Sequence, residues 1–388
     1  MAVNTMGIEQ AYTLLNSIHA QATGQTSIQA TDLSSFISVA QSTLQTGYEN
    51  TLNAITQVLT KTIVAVRPYE EKFKGLEYSA DKWGGIVRKI NFADTLAEDD
   101  PAFSLVDGQS VDPFIVKKPN VLETRYVGSD VYMDTVTVFK SQLDTAFSNP
   151  QDFASFMSGL MLHFVNLRTQ WLENLKRSML ANAIASKNAM GQDVIHLLTE
   201  YNNASGLTLT SQTILQPANF RGFMEWAYTR VSNLSRLMTE RSELFQMKIT
   251  GKPIMRHTPM EDQRVYMTSK YLDAMDSMVL ADTYHENFLR YADVESVNFW
   301  QSIQSPDTVS VTPVYIDNTG AVVTGTAQVV SPLVGIMFDR DAIGYNIYQD
   351  VLETSPYNSR GEYYNIHHHV KVQLQNDFTE KVIVLMLD

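Results

Sequence analysis

Residues 149–185 read NPQDFASFMSGLMLHFVNLRTQWLENLKRSMLANAIA, the one stretch long and regular enough to organise a fold around. Asn149-Pro150 supplies an N-cap side chain and a proline at the first helical position, where a missing N–H costs nothing. Asp152 puts an acid in the first turn, where the helix dipole favours it. From there Phe153, Phe156, Met157, Leu160, Met161, Phe164, Leu167, Trp171, Leu172, Leu175, Met179 and Leu180 recur at three- and four-residue spacing. One continuous apolar stripe to about Ala185 predicts a single helix on the order of 50 Å long, at about 1.5 Å per residue. A helix of that length is a spine along which other elements must pack.

Upstream, residues 1–66 carry only Glu9, Asp32, Glu49 and Lys61 as charges, amid abundant Gln, Thr and Ser. Leu14, Leu15 and Ile18, then Leu33, Phe36 and Ile37, recur at helical spacing. Such short amphipathic pieces cannot bury themselves alone, so this segment is expected to be an arm lying on another surface. Residues 67–147 change to β character, with IVRKINF at 86–92 and VYMDTVTVF at 131–139. Between them, residues 93–120 hold Pro101, Pro113, Pro119 and Gly108, which predicts a long exposed loop or hairpin.

Downstream of the spine, Phe220, Phe223, Met224, Ala227, Val231, Leu234, Leu237 and Met238 predict a second helix over 217–245. A mixed region follows: a strand-like RVYMT at 264–268, a short helix over 270–279, and a β-rich tract at 308–330 whose IDNTGAVV, with Asn318 and Gly320, reads as a hairpin. From Leu333 the chain is β again, through VGIMFD, YNIYQDV, YYNIHHHVKVQL and KVIVLML. The expected class is α+β.

With 388 residues, 44% of them hydrophobic, the chain has apolar material for two or three compact units. A net charge of −13 argues against a dedicated nucleic-acid binder, since neutralising phosphates takes clustered Lys and Arg. The absence of cysteine excludes disulfides, thiol nucleophiles and thiolate zinc sites. The amino terminus lacks the basic and apolar regions of a secretion signal, and the longest apolar run, at 382–387, is too short to span a bilayer. A soluble chain with no membrane partner, made in a cytoplasm, is expected.

His367, His368 and His369 invite a metal reading, because imidazole is the commonest metal ligand. In a strand, however, His367 and His369 share one face and His368 takes the other. Two ligands fall short of the three or four of a zinc site, and HENFL at His285 holds only the first half of HExxH. Half-buried or subunit-contact imidazoles are expected instead. GxSxG and GxGxxG motifs are absent, and Gly251-Lys252-Pro253 lacks the Ser or Thr of a phosphate loop. No catalytic residue, metal or cofactor is therefore expected. Glu98-Asp99-Asp100 reads as a solvated loop tip and Lys117-Lys118 as a solvated pair. Together with Arg88 and Lys89 they are candidate subunit contacts.

The order of elements, with GIEQAYTLLNSI at 7–18, KPNVLETRY at 118–126, DTAFSNPQDFASFMSGLM at 144–161 and DRDAIGYNIYQDVLETSPYNSRGEYYNIHHHVKVQ at 339–373, resembles the major capsid proteins of tailed bacteriophages. Their shared architecture is the Hong Kong ninety-seven capsid fold, and the resemblance is nearest to small short-tailed phages with protein-primed genomes. It implies a phage capsid fold in five parts. These are an N-terminal arm at 1–66, an extended loop with flanking peripheral-domain strands at 67–148, the spine helix at 149–205, an axial domain at 206–330 and peripheral C-terminal strands at 331–388. The loop, about 84–130, would reach over a neighbouring subunit, and Asn358-Ser359-Arg360-Gly361 would turn between two strands.

The implied function is a major capsid protein self-assembling, as pentamers and hexamers, into an icosahedral shell around a double-stranded DNA genome. The implied partners are copies of itself, a portal protein at one vertex and packaged DNA as a non-specific neighbour. The location is the virion, after assembly in the host bacterial cytoplasm. Some relatives begin with a cleaved, highly charged scaffolding segment. Residues 1–66 are too poorly charged for that, so a separate scaffolding protein is expected; no immunoglobulin-like domain is expected after Asp388. Covalent cross-linking through Lys117 or Lys118 is not expected, because that chemistry needs a catalytic acid beside the pair. An encapsulin-like cargo compartment of the same fold is the alternative, and a metal-dependent enzyme using His367 and His369 is the third reading.

Overall fold

The structure, a computed structural model, describes residues 6–26, 29–61, 72–73, 75–78, 86–95, 101–128, 130–280 and 294–388. Helices α1 (Ile8–Thr23), α2 (Leu33–Gln45) and α3 (Tyr48–Lys61) come first. Strands β1 (Ile86–Phe92), β2 (Val121–Val127) and β3 (Asp130–Phe139) lead through α4 (Lys140–Ala146) into α5 (Pro150–Met190). Next are β4 (Val194–His196), α6 (Leu197–Ser205), α7 (Pro217–Thr239), β5 (Gln263–Thr268), α8 (Ser269–Leu280) and β6 (Val294–Val297). Four short strands, β7 (Val309–Val311), β8 (Val314–Ile316), β9 (Val322–Thr324) and β10 (Gln328–Val330), precede β11 (Leu333–Asp339), β12 (Ile343–Thr354), β13 (Tyr363–Asn376) and β14 (Val382–Met386).

The spine is α5, 41 residues long, or about 60 Å. Asn149 caps it by accepting from the Gln151 N–H at 2.7 Å. No breaker follows Ala185 until Gly191, whose φ of 60° ends the helix in the left-handed region that glycine tolerates. The first half of α5 belongs to one core, with Phe153, Met157, Leu160, Met161 and Phe164, and the second half to another, with Leu172, Met179, Leu180 and Ile184.

Two larger sheets lie along the spine. One is three-stranded, in the order β12-β13-β3, all antiparallel. The other is five-stranded, in the order β4-β14-β11-β5-β6, with parallel pairs at both edges. Its central strands are buried on both faces: Ile336, Phe338, Val382 and Val384 turn toward α5, while Met337, Ile383 and Leu385 turn toward α6, α7 and α8. Continuous apolar runs such as KVIVLML are the sequence form of that double burial. The β8–β9 hairpin turns through Asn318 and Gly320, with Gly320 at φ 87°. The β12–β13 hairpin turns where Asn358 Oδ1 accepts from the N–H groups of Arg360 and Gly361.

Three expectations differ from this picture. Residues 331–388 are not one set of strands: β11 pairs with β5 of the 206–330 segment and β14 with β11 and β4, while only β12 and β13 share a sheet with β3. Pairing partners this remote in sequence leave no local signal. Secondly, α4 interrupts the β character expected through Phe147; it starts where the Gln142 side chain accepts from the Phe139 N–H at 3.1 Å.

Thirdly, the N-terminal segment docks on its own chain. Ala11, Leu14, Leu15, Ile18, Phe36, Val39 and Ile55 form one core with Phe153, Met157, Tyr364 and Ile366. Phe36 meets Phe153 edge-on at 5.9 Å between ring centroids. Tyr48 donates to Asp144 Oδ1 at 2.7 Å, and burial and that carboxylate push its phenol up to about 12. The low charge that suggested an arm on a foreign surface belongs to helices packed against one another and the start of α5.

Candidate assembly surface

The projecting element is the β1–β2 hairpin, in which Ile86 pairs with Val127 and Phe92 with Val121, joined through residues 93–120. Arg88 and Arg125 both bond Glu123 Oε1, at 2.6 and 2.5 Å. These groups are solvent-exposed, so the cluster adds little to stability.

Lys89 has a different setting. Its Nζ donates to Asp377 Oδ2 at 2.8 Å and to Glu380 Oε1, and those carboxylate side chains are 1% and 8% exposed. Burial opposes the Lys89 charge, but the two carboxylates outweigh it and hold the ammonium above the ordinary lysine range. Burial likewise works against the Asp377 carboxylate, which Lys89 and Thr379 nevertheless hold below the usual range. Arg256 adds an ion pair to Glu380 at 3.2 Å. Lys89 therefore ties the hairpin to the β13–β14 turn of its own subunit, although it reads in sequence as a subunit contact.

The root of the loop is fastened too. Asp94 accepts from Arg241 and from the Met255 N–H (2.6 Å), Asn120 donates to the Gly251 carbonyl (2.9 Å), and Lys252 donates to the Val121 carbonyl (2.7 Å). Beyond that root the loop is open to solvent: residues 104–120 are all exposed. Phe114, Ile115 and Val116 stand 84%, 66% and 79% exposed, followed directly by exposed Lys117 and Lys118. Three consecutive apolar side chains on a projecting tip, beside a dibasic pair, form a surface built to be covered. Glu98, Asp99 and Asp100 lie outside the described residues, as does His285.

The histidines divide as strand alternation requires. His368 is buried against α5, edge-on to Phe164 and Tyr132, with Nε2 2.7 Å from Asp350 Oδ1. Arg168 holds the other Asp350 oxygen at 2.9 Å. Burial works against the Asp350 charge, but His368 and Arg168 keep its carboxyl below the ordinary range. His367 and His369 share the opposite face, their rings 6.1 Å apart, and His367 Nδ1 lies 2.9 Å from Thr135 Oγ1. Glu353 pairs with His367 across the strands. Even so, among the described residues no three His, Asp or Glu side chains come together to hold a metal. None of the described helices is long and apolar enough to cross a membrane.

A body with three cores, a clamped projecting hairpin and an apolar tip is a subunit made to associate. Its fold is that of phage capsid subunits. The capsid structure of Staphylococcus phage Andhra matches with a TM-score of 0.55 at 12% identity, over 84% of this chain and 87% of that one. A chain from the structure of the head fiber and inner core protein gp22 of native bacteriophage P68 matches with a TM-score of 0.54 at 12% identity, over the same shares. No curated protein matches the sequence. The profile of the family described as Phi29-like phage major capsid protein matches residues 15–386, and the chain belongs to that family. It is a major capsid protein, a structural component of the virion, whose copies assemble into an icosahedral shell.

Proposed function

We propose that the shell is built from pentamers and hexamers of this chain around double-stranded DNA, and that the 93–120 loop lies over the adjacent subunit. The exposed Phe114-Ile115-Val116 tip carries this reading, since so much contiguous apolar surface on a projecting loop gains free energy only when another surface covers it. In this assignment β3, α5, β12 and β13 form the peripheral domain. The five-stranded sheet with α6, α7 and α8 forms the axial domain, so that β11 and β14 move to the axial side. Arg88, Lys117 and Lys118 are exposed and are assigned to contacts between subunits.

A separate scaffolding protein, a portal at one vertex and DNA as a non-specific neighbour complete the proposed partners, with assembly in the host bacterial cytoplasm. A net charge of −13 suits a shell that encloses nucleic acid without adhering to it. The subunit works by association, and no catalytic step is assigned to it.

The test is a triple variant, Phe114→Ser, Ile115→Ser and Val116→Ser, expressed alone and with the candidate scaffold gene. Its circular dichroism should match that of the parent, because these side chains lie outside the cores. Negative-stain electron microscopy should then show closed shells for the parent and none for the variant. Normal shells from the variant would remove the loop from the contact.

A further inference from the structure

Two buried polar atoms of the three-stranded sheet have no hydrogen-bond partner among the described residues. One is Nδ1 of His368, whose side chain is 6% exposed, and the other is Oδ2 of Asp134. The two residues are register partners on β13 and β3, which sets their Cβ atoms about 4.5–5.5 Å apart on the face turned to α5. We propose that His368 is a proton-operated clasp: a proton added at Nδ1 is donated to Asp134, so that one imidazolium links β12, β13 and β3 through two carboxylates.

Asp350 fixes the neutral state. Its carboxyl, held below the ordinary range, is ionised near neutrality and can only accept, so Nε2, 2.7 Å from Oδ1, carries the single hydrogen of a neutral ring. Nδ1 is then a bare acceptor, and the carboxylate across the sheet from it has no hydrogen to give. Asp134 Oδ1 accepts from the Thr135 N–H at 2.8 Å, which leaves Oδ2 over. A proton taken from solvent turns Nδ1 into a donor, and one new bond satisfies both atoms.

Charge points the same way. The described charged and titratable groups around this ring are Asp350 of β12, Asp134 and Tyr132 of β3, and His163 and Arg168 of α5. The neighbours of His368 on its own face of β13, Ile366 and Val370, add no charge. Two carboxylates against one guanidinium leave the site at −1 while His368 is neutral, and one proton cancels that charge. Arg168 is already paired with Asp350 at 2.9 Å. His163 lies 3.5 Å from the same Asp134 oxygen, but its side chain is 47% exposed, so water screens the pair. The clasp sits where α5 passes from one core to the other: His368 is edge-on to Phe164 of the first core and to Tyr132, which stacks on Trp171 beside the second. Acidification therefore tightens the sheet at the junction of the two cores, whatever contacts the subunit makes in a shell.

Asp134→Asn is the discriminating variant. Its amide keeps Oδ1 for the Thr135 N–H and puts an NH2 group where Oδ2 was, so Nδ1 gains a donor without a proton. In thermal denaturation of the full-length subunit, the melting temperature of the parent should rise relative to that of the variant by about 2–4 °C between about pH 7.5 and about pH 5.5. The contribution of His19 is common to both chains and cancels. In nitrogen-15 spectra of the parent, the His368 ring, assigned by triple resonance, should carry one protonated nitrogen at about pH 7.5 and two at about pH 5.5. A melting difference that does not change with pH, or a ring still holding a bare nitrogen at the lower pH, overturns the clasp. Should Asp134→Asn fail to fold, the ring signals of the parent decide alone. A His163→Gln control should keep the pH effect; its loss there would assign the effect to the surface pair and overturn the clasp as well.

Discussion

His19 sits in the core of the α1–α3 helices, its Nδ1 3.0 Å from Thr43 Oγ1 and its Nε2 without a hydrogen-bond partner among the described residues. Burial lowers its pKa from the ordinary 6.5. The sign follows: a group held neutral in the fold contributes stability that is complete above the unfolded value and is lost as pH falls through 6.5 and then through the lowered value. Thermal denaturation from about pH 7.5 to about pH 5 should therefore destabilise the parent more than a His19→Gln variant. Equal losses in the two would show that His19 does not titrate against the fold. The other histidines teach what strand alternation can tell. Period two separates His368 from His367 and His369, but Asp350, which decides the role of His368, lies across a register that no local pattern encodes. Lys89 is hidden for the same reason, since its carboxylates lie 288 and 291 residues away.

At the level of elements, the spine and the strands that flank the loop are legible because each satisfies a strong local rule: a capped apolar stripe for α5, branched and aromatic runs for β1 and β3. Helices α1–α3 show their periodicity equally well, yet not their partner. Stripes of that kind fit a neighbour or the same chain, and only the packing of Phe36 on Phe153 decides. A chain lacking residues 1–61 should accordingly lose solubility, because Phe153, Met157, Met161 and Ile366 would be bared, at about 1.5–3 kcal/mol for each large side chain. Recovery of a soluble, monodisperse truncated subunit by size-exclusion chromatography would show that these helices are dispensable to the core. The split of β11 and β14 from β12 and β13 marks the limit of element reading. All four are apolar β segments, and which sheet each joins depends on the whole topology.

For the molecule as a whole, charge and apolar surface pull in opposite directions. Subunits carrying −13 repel one another, while the exposed tip draws them together. Assembly of the parent followed by light scattering should speed up several-fold as salt rises from about 50 mM to about 500 mM, because screening shortens the Debye length from above 10 Å to well below it. A slower reaction at high salt would mean that ion pairs drive the contact. Under such loads the spine has a consequence of its own. One rod is built into two separate cores, so neither core can shift without turning or bending the other's support. The rod has no proline after Pro150, and Ser158-Gly159 is its only adjacent serine and glycine, the pairing at which helices give way. The subunit is in effect a lever with one soft notch, where a tilt imposed at its N-terminal end bends the rod first and from where the remainder passes on to the core of the five-stranded sheet.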